Sequence, residues 1–115
     1  MFVLNYRIIF TEEVKGFIYC LDSKSVEKIL KTFDKVKLGL FRDYYAKMSG
    51  TKDFYECKVK TKDHWFRFIT KHYKINDETT IIVLSGFKKK SNKIPQNEIK
   101  KAEKIYEKIF KSGHS

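Results

Sequence analysis

The stretch FYECKVKTKDHWFRFITKHYKINDETTIIVLSGF, residues 54–87, decides the fold. Over Phe54–Lys60 the pattern has a period of two. Tyr55, Cys57 and Val59 share one face, and Glu56, Lys58 and Lys60 share the other, as on a strand with one buried side. Thr61–Asp63 is a polar turn, and His64–Tyr73 (HWFRFITKHY) is rich in the aromatic and β-branched residues that suit a second strand. Ile75–Glu78 contains Asn76-Asp77, a pair that favours a tight turn. Thr79–Phe87 (TTIIVLSGF) is largely apolar, so this third strand is expected at the centre of the sheet. Three strands joined by short links make an antiparallel meander.

On the N-terminal side, residues 2–10 (FVLNYRIIF) read as another strand. Thr11 offers an N-cap, and Glu12 and Glu13 occupy the first turn, where the helix dipole favours anions. A short helix to about Leu21 follows, and Asp22–Ser25 forms a turn or second cap. Val26, Ile29, Leu30, Phe33 and Val36 then make a helical stripe, which Gly39 ends as a C′ residue. The two helices form an α-hairpin. Residues 40–53 are irregular, with a turn at Ser49-Gly50. On the C-terminal side Lys88–Lys93 is a basic loop, and Pro95, the only proline, suits the first position of a last helix. That helix presents Ile99, Ala102, Ile105 or Tyr106, Ile109 and Phe110 on one side and Lys100, Lys101, Lys104 and Lys108 on the other. Residues 113–115 are a frayed tail. The expected fold is a single small α+β domain over residues 1–115, with a mixed four-stranded sheet and its helices on one face. The opposite face is then left partly open as a binding surface.

The chain's 115 residues, 42% hydrophobic and 16% aromatic, supply a core and exclude a disordered or fibrous chain. Its formal charge is +11, and the charge is uneven. Residues 1–57 carry 10 basic and 8 acidic side chains, whereas residues 58–115 carry 15 and 6. A surface that basic points to a polyanion, nucleic acid before an anionic membrane. No stretch is long and apolar enough to span a bilayer, and Met1–Phe10 lacks the features of a signal peptide, which makes the cytoplasm the expected compartment. Cys20 and Cys57 match no zinc spacing and are expected to be reduced, buried thiols.

Three segments carry a resemblance. Phe54-Tyr55-Glu56-Cys57-Lys58 looks like the aromatic-Glu-apolar-Arg strand of small bacterial toxins, and Phe66-Arg67-Phe68 resembles their Tyr-Arg-apolar strand. The segment from Gly86 to Ile99, GFKKKSNKIPQNEI, is similar to the signature Gly-Phe-x-Lys-Lys-x-x-Lys-Thr-Pro-x-x-Glu-Ile of the HigB-type, phage-derived branch of the RelE/ParE toxin superfamily. Lys58 stands where that family usually has arginine, and Ile94 where it usually has threonine. The resemblance implies a RelE-like domain and a type II toxin, an mRNA interferase that cuts translated messages at the ribosome without metal or cofactor. It also implies a cognate helix-turn-helix antitoxin as partner in a hetero-oligomer. The alternative is a non-cleaving member, either a ParE-like gyrase poison or a degenerate toxin that only binds its antitoxin.

RNA carries its own nucleophile, the 2′-hydroxyl. A protein that cleaves it need only orient that group, stabilise the charge developing on phosphorus and help the 5′-oxygen leave. Preorganised cations supply the electrostatic part. Arg67, Lys58, Lys89 and Lys90 are the catalytic candidates, because neighbouring strands of a meander bring such residues within about 5 Å. Lys60 and Lys93 are candidates for holding the RNA backbone, Tyr55 and Trp65 for stacking on bases, and His64 for a further RNA contact. Glu56 is expected to pair with Arg67 or Lys58 rather than to act as a base. The histidines lack the neighbours that a metal site needs.

Overall fold

A computed structural model describes residues 6–90 and 93–113. Residues 2–5 of the expected first strand, Ser91 and Asn92 of the basic loop, and His114 and Ser115 of the tail lie outside the described residues. The elements run β1 (Arg7–Phe10), α1 (Glu12–Tyr19), α2 (Ser23–Lys37), β2 (Tyr45–Lys47), β3 (Phe54–Lys60), β4 (Trp65–Ile75), β5 (Glu78–Lys88) and α3 (Gln96–Gly113). The α+β class and the expected order are present. The sheet has five strands in the order β1-β5-β4-β3-β2, with β1 parallel to β5 and the other pairs antiparallel. The added strand is β2, whose three residues YAK are too few to show a period in sequence.

Local chemistry sets most boundaries. Thr11 caps α1 by accepting from the Val14 amide at 3.4 Å. Asp22 caps α2 by accepting from the Ser25 amide at 3.2 Å and hydroxyl at 2.6 Å, and these bonds to Ser25 hold its carboxyl below the usual pKa. Gly39, at φ 80°, ends α2. The Gly39 amide donates to Val36 and the Leu40 amide to Lys35, the paired bonds of a Schellman motif. Asn76 and Asp77, at φ 49° and 69°, make the tight turn between β4 and β5. Pro95 lies one residue before α3 rather than inside it, and its carbonyl accepts from the amides of Glu98 and Ile99.

Strand alternation gives the sheet two apolar faces. Phe66, Phe68, Ile81 and Val83 pack with Val14 and Ile18 of α1 and Ile29, Phe33 and Val36 of α2. Phe54, Ile69, Ile82 and Leu84 pack with Ala102 of α3. Each such large side chain contributes about 1.5–3 kcal/mol by leaving water. The helices therefore divide between the faces, two on one and one on the other, where the sequence reading placed all of them together. The physical reason lies in β5: its residues are apolar at odd and even positions alike, so both faces need a cover.

A bulge in β5 completes the arrangement. Ile69 pairs with Ser85 and Thr70 with Val83, so Leu84 is the extra residue. Leu84 and Ser85 consequently both face α3, and the Ser85 hydroxyl donates to the Glu98 carboxylate at 2.8 Å. That bond anchors the first turn of α3. At the far side Lys101 of α3 pairs with Glu13 of α1 at 2.6 Å.

Candidate nucleic-acid interface

On the α3 face the polar positions of β3 and β4 meet in consecutive rungs. Lys58 pairs in register with Arg67, and Lys60 pairs with Trp65. The Lys89 amide donates to the Trp65 carbonyl at 2.8 Å, which extends the second rung into the segment after β5. Glu56 sits one rung before Lys58 on the same face. Its carboxylate accepts from Arg67 Nη1 at 2.8 Å and lies 3.7 Å from Lys58 Nζ. The Arg67 and Glu56 side chains are only 9% and 11% exposed, so the pair is screened little by water. Two cations share one carboxylate, which leaves a net positive charge facing outward. Arg67 Nε is buried with no hydrogen-bond partner among the described residues. One donor of the guanidinium is thus uncommitted in a place where an unpaired donor is costly.

Lys58 and Arg67 line a groove of about 640 Å³ together with Lys93, the turn around Ser49-Gly50, and Ile99 and Glu103 of α3. The groove lies where α3 leaves the sheet uncovered. Lys47 on its rim is held by Asp53 at 3.0 Å, an ion pair that raises the lysine pKa and lowers that of the carboxyl. Trp65 is 40% exposed at the end of the sheet, and the ammonium groups of Lys60 and Lys89 sit 4.9 and 4.6 Å from its ring centroid. An exposed indole flanked by two cations offers a π-face for a base and charge for its phosphates.

Lys58, Lys60, Trp65, Arg67 and Lys89 therefore come together. Lys93 joins them across the groove. Lys90 lines an adjoining depression with Phe17, Phe87 and Pro95, and Lys93 lines both this depression and the groove. Tyr55 lies on the opposite face, its ring stacked on His72 with centroids 4.0 Å apart. His64 also belongs to that face, 5.8 Å from the Phe66 ring, in a turn closed by Thr61. Cys57 is buried, and burial pushes its thiol pKa up, whereas Cys20 at the end of α1 is exposed and not buried as expected.

Sequence reasoning passed over Lys28 and Lys35 of α2, which reach the same end of the sheet. Their spacing on a helical stripe with Thr32 was the available signal. No group of three or more His, Cys, Asp or Glu among the described residues is placed to hold a metal ion. No helix among them is long and apolar enough to cross a membrane.

Residues 16–107 match the family described as phage derived protein Gp49-like (DUF891). The chain belongs to this Gp49-like family. A free-state structure of an arginine double mutant of the E. coli toxin RelE is similar to this Gp49-like chain. The TM-score is 0.62 at 20% identity, with 84% of this chain and 96% of that one covered. That likeness shows the fold. No curated protein matches the sequence. Within the matched segment, two residues of the Gly86–Ile99 stretch have structural tasks. Gly86 admits the Phe68 ring, since a Cβ there would lie 2.6 Å from Phe68 Cε1. Glu98 receives the Ser85 hydroxyl.

Proposed function

We propose that this Gp49-like protein is the toxin of a type II toxin–antitoxin pair, a HigB-type mRNA interferase that cuts translated messages by activating the RNA 2′-hydroxyl. The observation that carries the reading is the meeting of Lys58, Arg67, Lys60, Trp65 and Lys89 on two consecutive rungs of one sheet face. This combination suits single-stranded RNA: cations for the scissile phosphate and its neighbours, and an exposed ring for a base. Lys58 is the most exposed of the three paired groups and contacts the phosphate. Arg67, held by Glu56, adds its positive charge beneath the site of the developing phosphorane charge. The cognate partner is a helix-turn-helix antitoxin, as the resemblance of the Gly86–Ile99 segment implies.

The test is tightly controlled induction of the chain, with mapping of new RNA 5′ ends inside translated messages. Growth arrest with cuts at codon boundaries is the expected result, abolished by Lys58→Ala. Arrest with intact RNA would overturn the interferase reading and point to DNA gyrase.

One observation favours the second reading, a member that binds but does not cleave. The Arg67 charge is already answered by Glu56, and Lys58 lacks the bidentate fork of the arginine usual at its position. In that case induction produces no arrest, and the protein still binds its antitoxin.

A further inference from the structure

Away from the groove, on the other side of the β3 edge, lies a cleft of about 410 Å³ between α2 and the end of the β3–β4 hairpin. Its volume falls in the roughly 300–1,000 Å³ range of small-ligand clefts. Lys28 and Lys35 enter it from α2, Lys58 and Lys60 from β3, and Tyr44 and Trp65 supply ring surface. Four lysines face one acidic lining residue, Asp43. Lys28, Lys35 and Lys60 have no carboxylate within ion-pair distance among the described residues, and Lys35 Nζ stands 6.0 Å from the Tyr44 ring centroid. The Tyr44 hydroxyl donates to the Leu40 carbonyl, which fixes the ring.

The cleft and the groove share Lys58, and Lys60 and Trp65 of the second rung line the cleft. We infer that the cleft is a nucleotide subsite, which takes the base and phosphate of an RNA residue next to the one at Lys58 and Arg67. The RNA strand would then cross the β3 edge instead of running along one face. Lys28 and Lys35 hold phosphates, and Tyr44 and Trp65 stack the base. The ring surfaces favour this ligand over an acidic peptide, which would use the lysines and leave both rings idle. The inference rests on the RNA reading given under Proposed function.

Trp65 is the chain's single tryptophan, so its fluorescence reports the cleft directly. The probe is an uncleavable 2′-O-methyl RNA of about ten nucleotides, within the footprint of comparable single-strand grooves. It is titrated into the parent and into a Lys28→Gln/Lys35→Gln variant at several salt concentrations. Both lysines are exposed, and glutamine keeps helix propensity, so the variant retains its fold. RNA should quench Trp65 in the parent. The variant should bind more weakly, with the log–log salt slope reduced by about 1.4, about 0.7 for each lost contact on a single strand. Tyr44→Leu should weaken binding at every salt concentration without altering that slope. If the parent binds and the double variant keeps both affinity and slope, the subsite is overturned while the RNA reading stands. If the parent binds no RNA, that reading fails and the subsite fails with it. Displacement of the RNA by polyglutamate at equal charge concentration would assign the cleft to an acidic protein and overturn the inference.

Discussion

The two faces of one sheet have opposite chemistry although the same strands build both. The face under α1 and α2 is closed by rings: Phe17, Phe33, Phe66 and Phe68 meet with centroids 5.3 to 6.2 Å apart. The face under α3 is apolar only where that helix lies and changes to Glu56, Lys58 and Arg67 where it does not. Strand alternation makes this possible, because β3 and β4 send odd and even residues to separate environments. One face can then carry stability while the other keeps charges in place. The largest expected effects come from breaking each face in its own way.

Phe68→Ala should lower unfolding free energy by about 3–5 kcal/mol, since it removes a fully buried ring from between Phe17 and Phe33. Urea denaturation reads the loss directly. Arg67→Ala should cost a similar amount, about 3 kcal/mol, by leaving Glu56 buried beside Lys58 alone. The two differ in what repairs them. Glu56→Gln combined with Arg67→Met should recover most of the stability lost by Arg67→Ala and none of the RNA cleavage. A double variant as unstable as the single one would mean that the pair is not the source of the cost.

The difference between the faces also explains what the sequence disclosed. Phe66, Phe68, Ile81 and Val83 announce their face through simple alternation, and the caps at Thr11, Asp22 and Gly39 follow from side-chain chemistry within a few residues. Lys58 and Arg67 were legible as a site because register follows from the short turn at Thr61–His64. The opposite placement of α3 was not legible, because a fully apolar strand such as β5 does not say how many helices cover each side. The stacking of Tyr55 on His72 was not legible either, because the two rings come from neighbouring strands whose contact no local pattern announces. Lys28 and Lys35 stayed hidden for a related reason: only tertiary packing brings α2 to the β3 edge.

Gly86→Ala probes the seam between core and signature. An added Cβ would meet Phe68 Cε1 at 2.6 Å, Phe68 Cδ1 at 2.8 Å and Phe17 Cδ2 at 3.0 Å, and the Phe68 ring is fully buried between Phe17 and Phe33. Overpacking of this kind costs about 1–3 kcal/mol. Thermal unfolding should show the loss. The Trp65 response to RNA should persist at temperatures where the variant is folded, because Gly86 presses on the α1 face and not on the groove.

The smallest effect concerns a single titratable group on the dry face. His72 is enclosed by the rings of Tyr6, Phe41, Tyr45 and Tyr55, and burial holds its pKa below the ordinary 6.5. Its Nε2 lies 2.7 Å from the Tyr45 hydroxyl, which lies 2.7 Å from Thr70 Oγ1; Thr70 in turn donates to the Tyr55 carbonyl. With the Thr70 proton committed to that carbonyl, Tyr45 donates to Thr70 and the neutral imidazole donates through Nε2. Below pH 6.5 the unfolded chain takes up a proton that the folded chain resists, so the unfolded state binds more protons and stability falls with pH. The contribution is complete above 6.5 and is lost as pH drops toward the lowered folded value. His72→Gln should remove this part of the pH dependence. The difference in unfolding free energy between parent and variant should therefore narrow between about pH 7.5 and 5.5, a window above most carboxylate titration. Parallel curves over that window would mean that the His72 ring is as solvated in the folded chain as in the unfolded one.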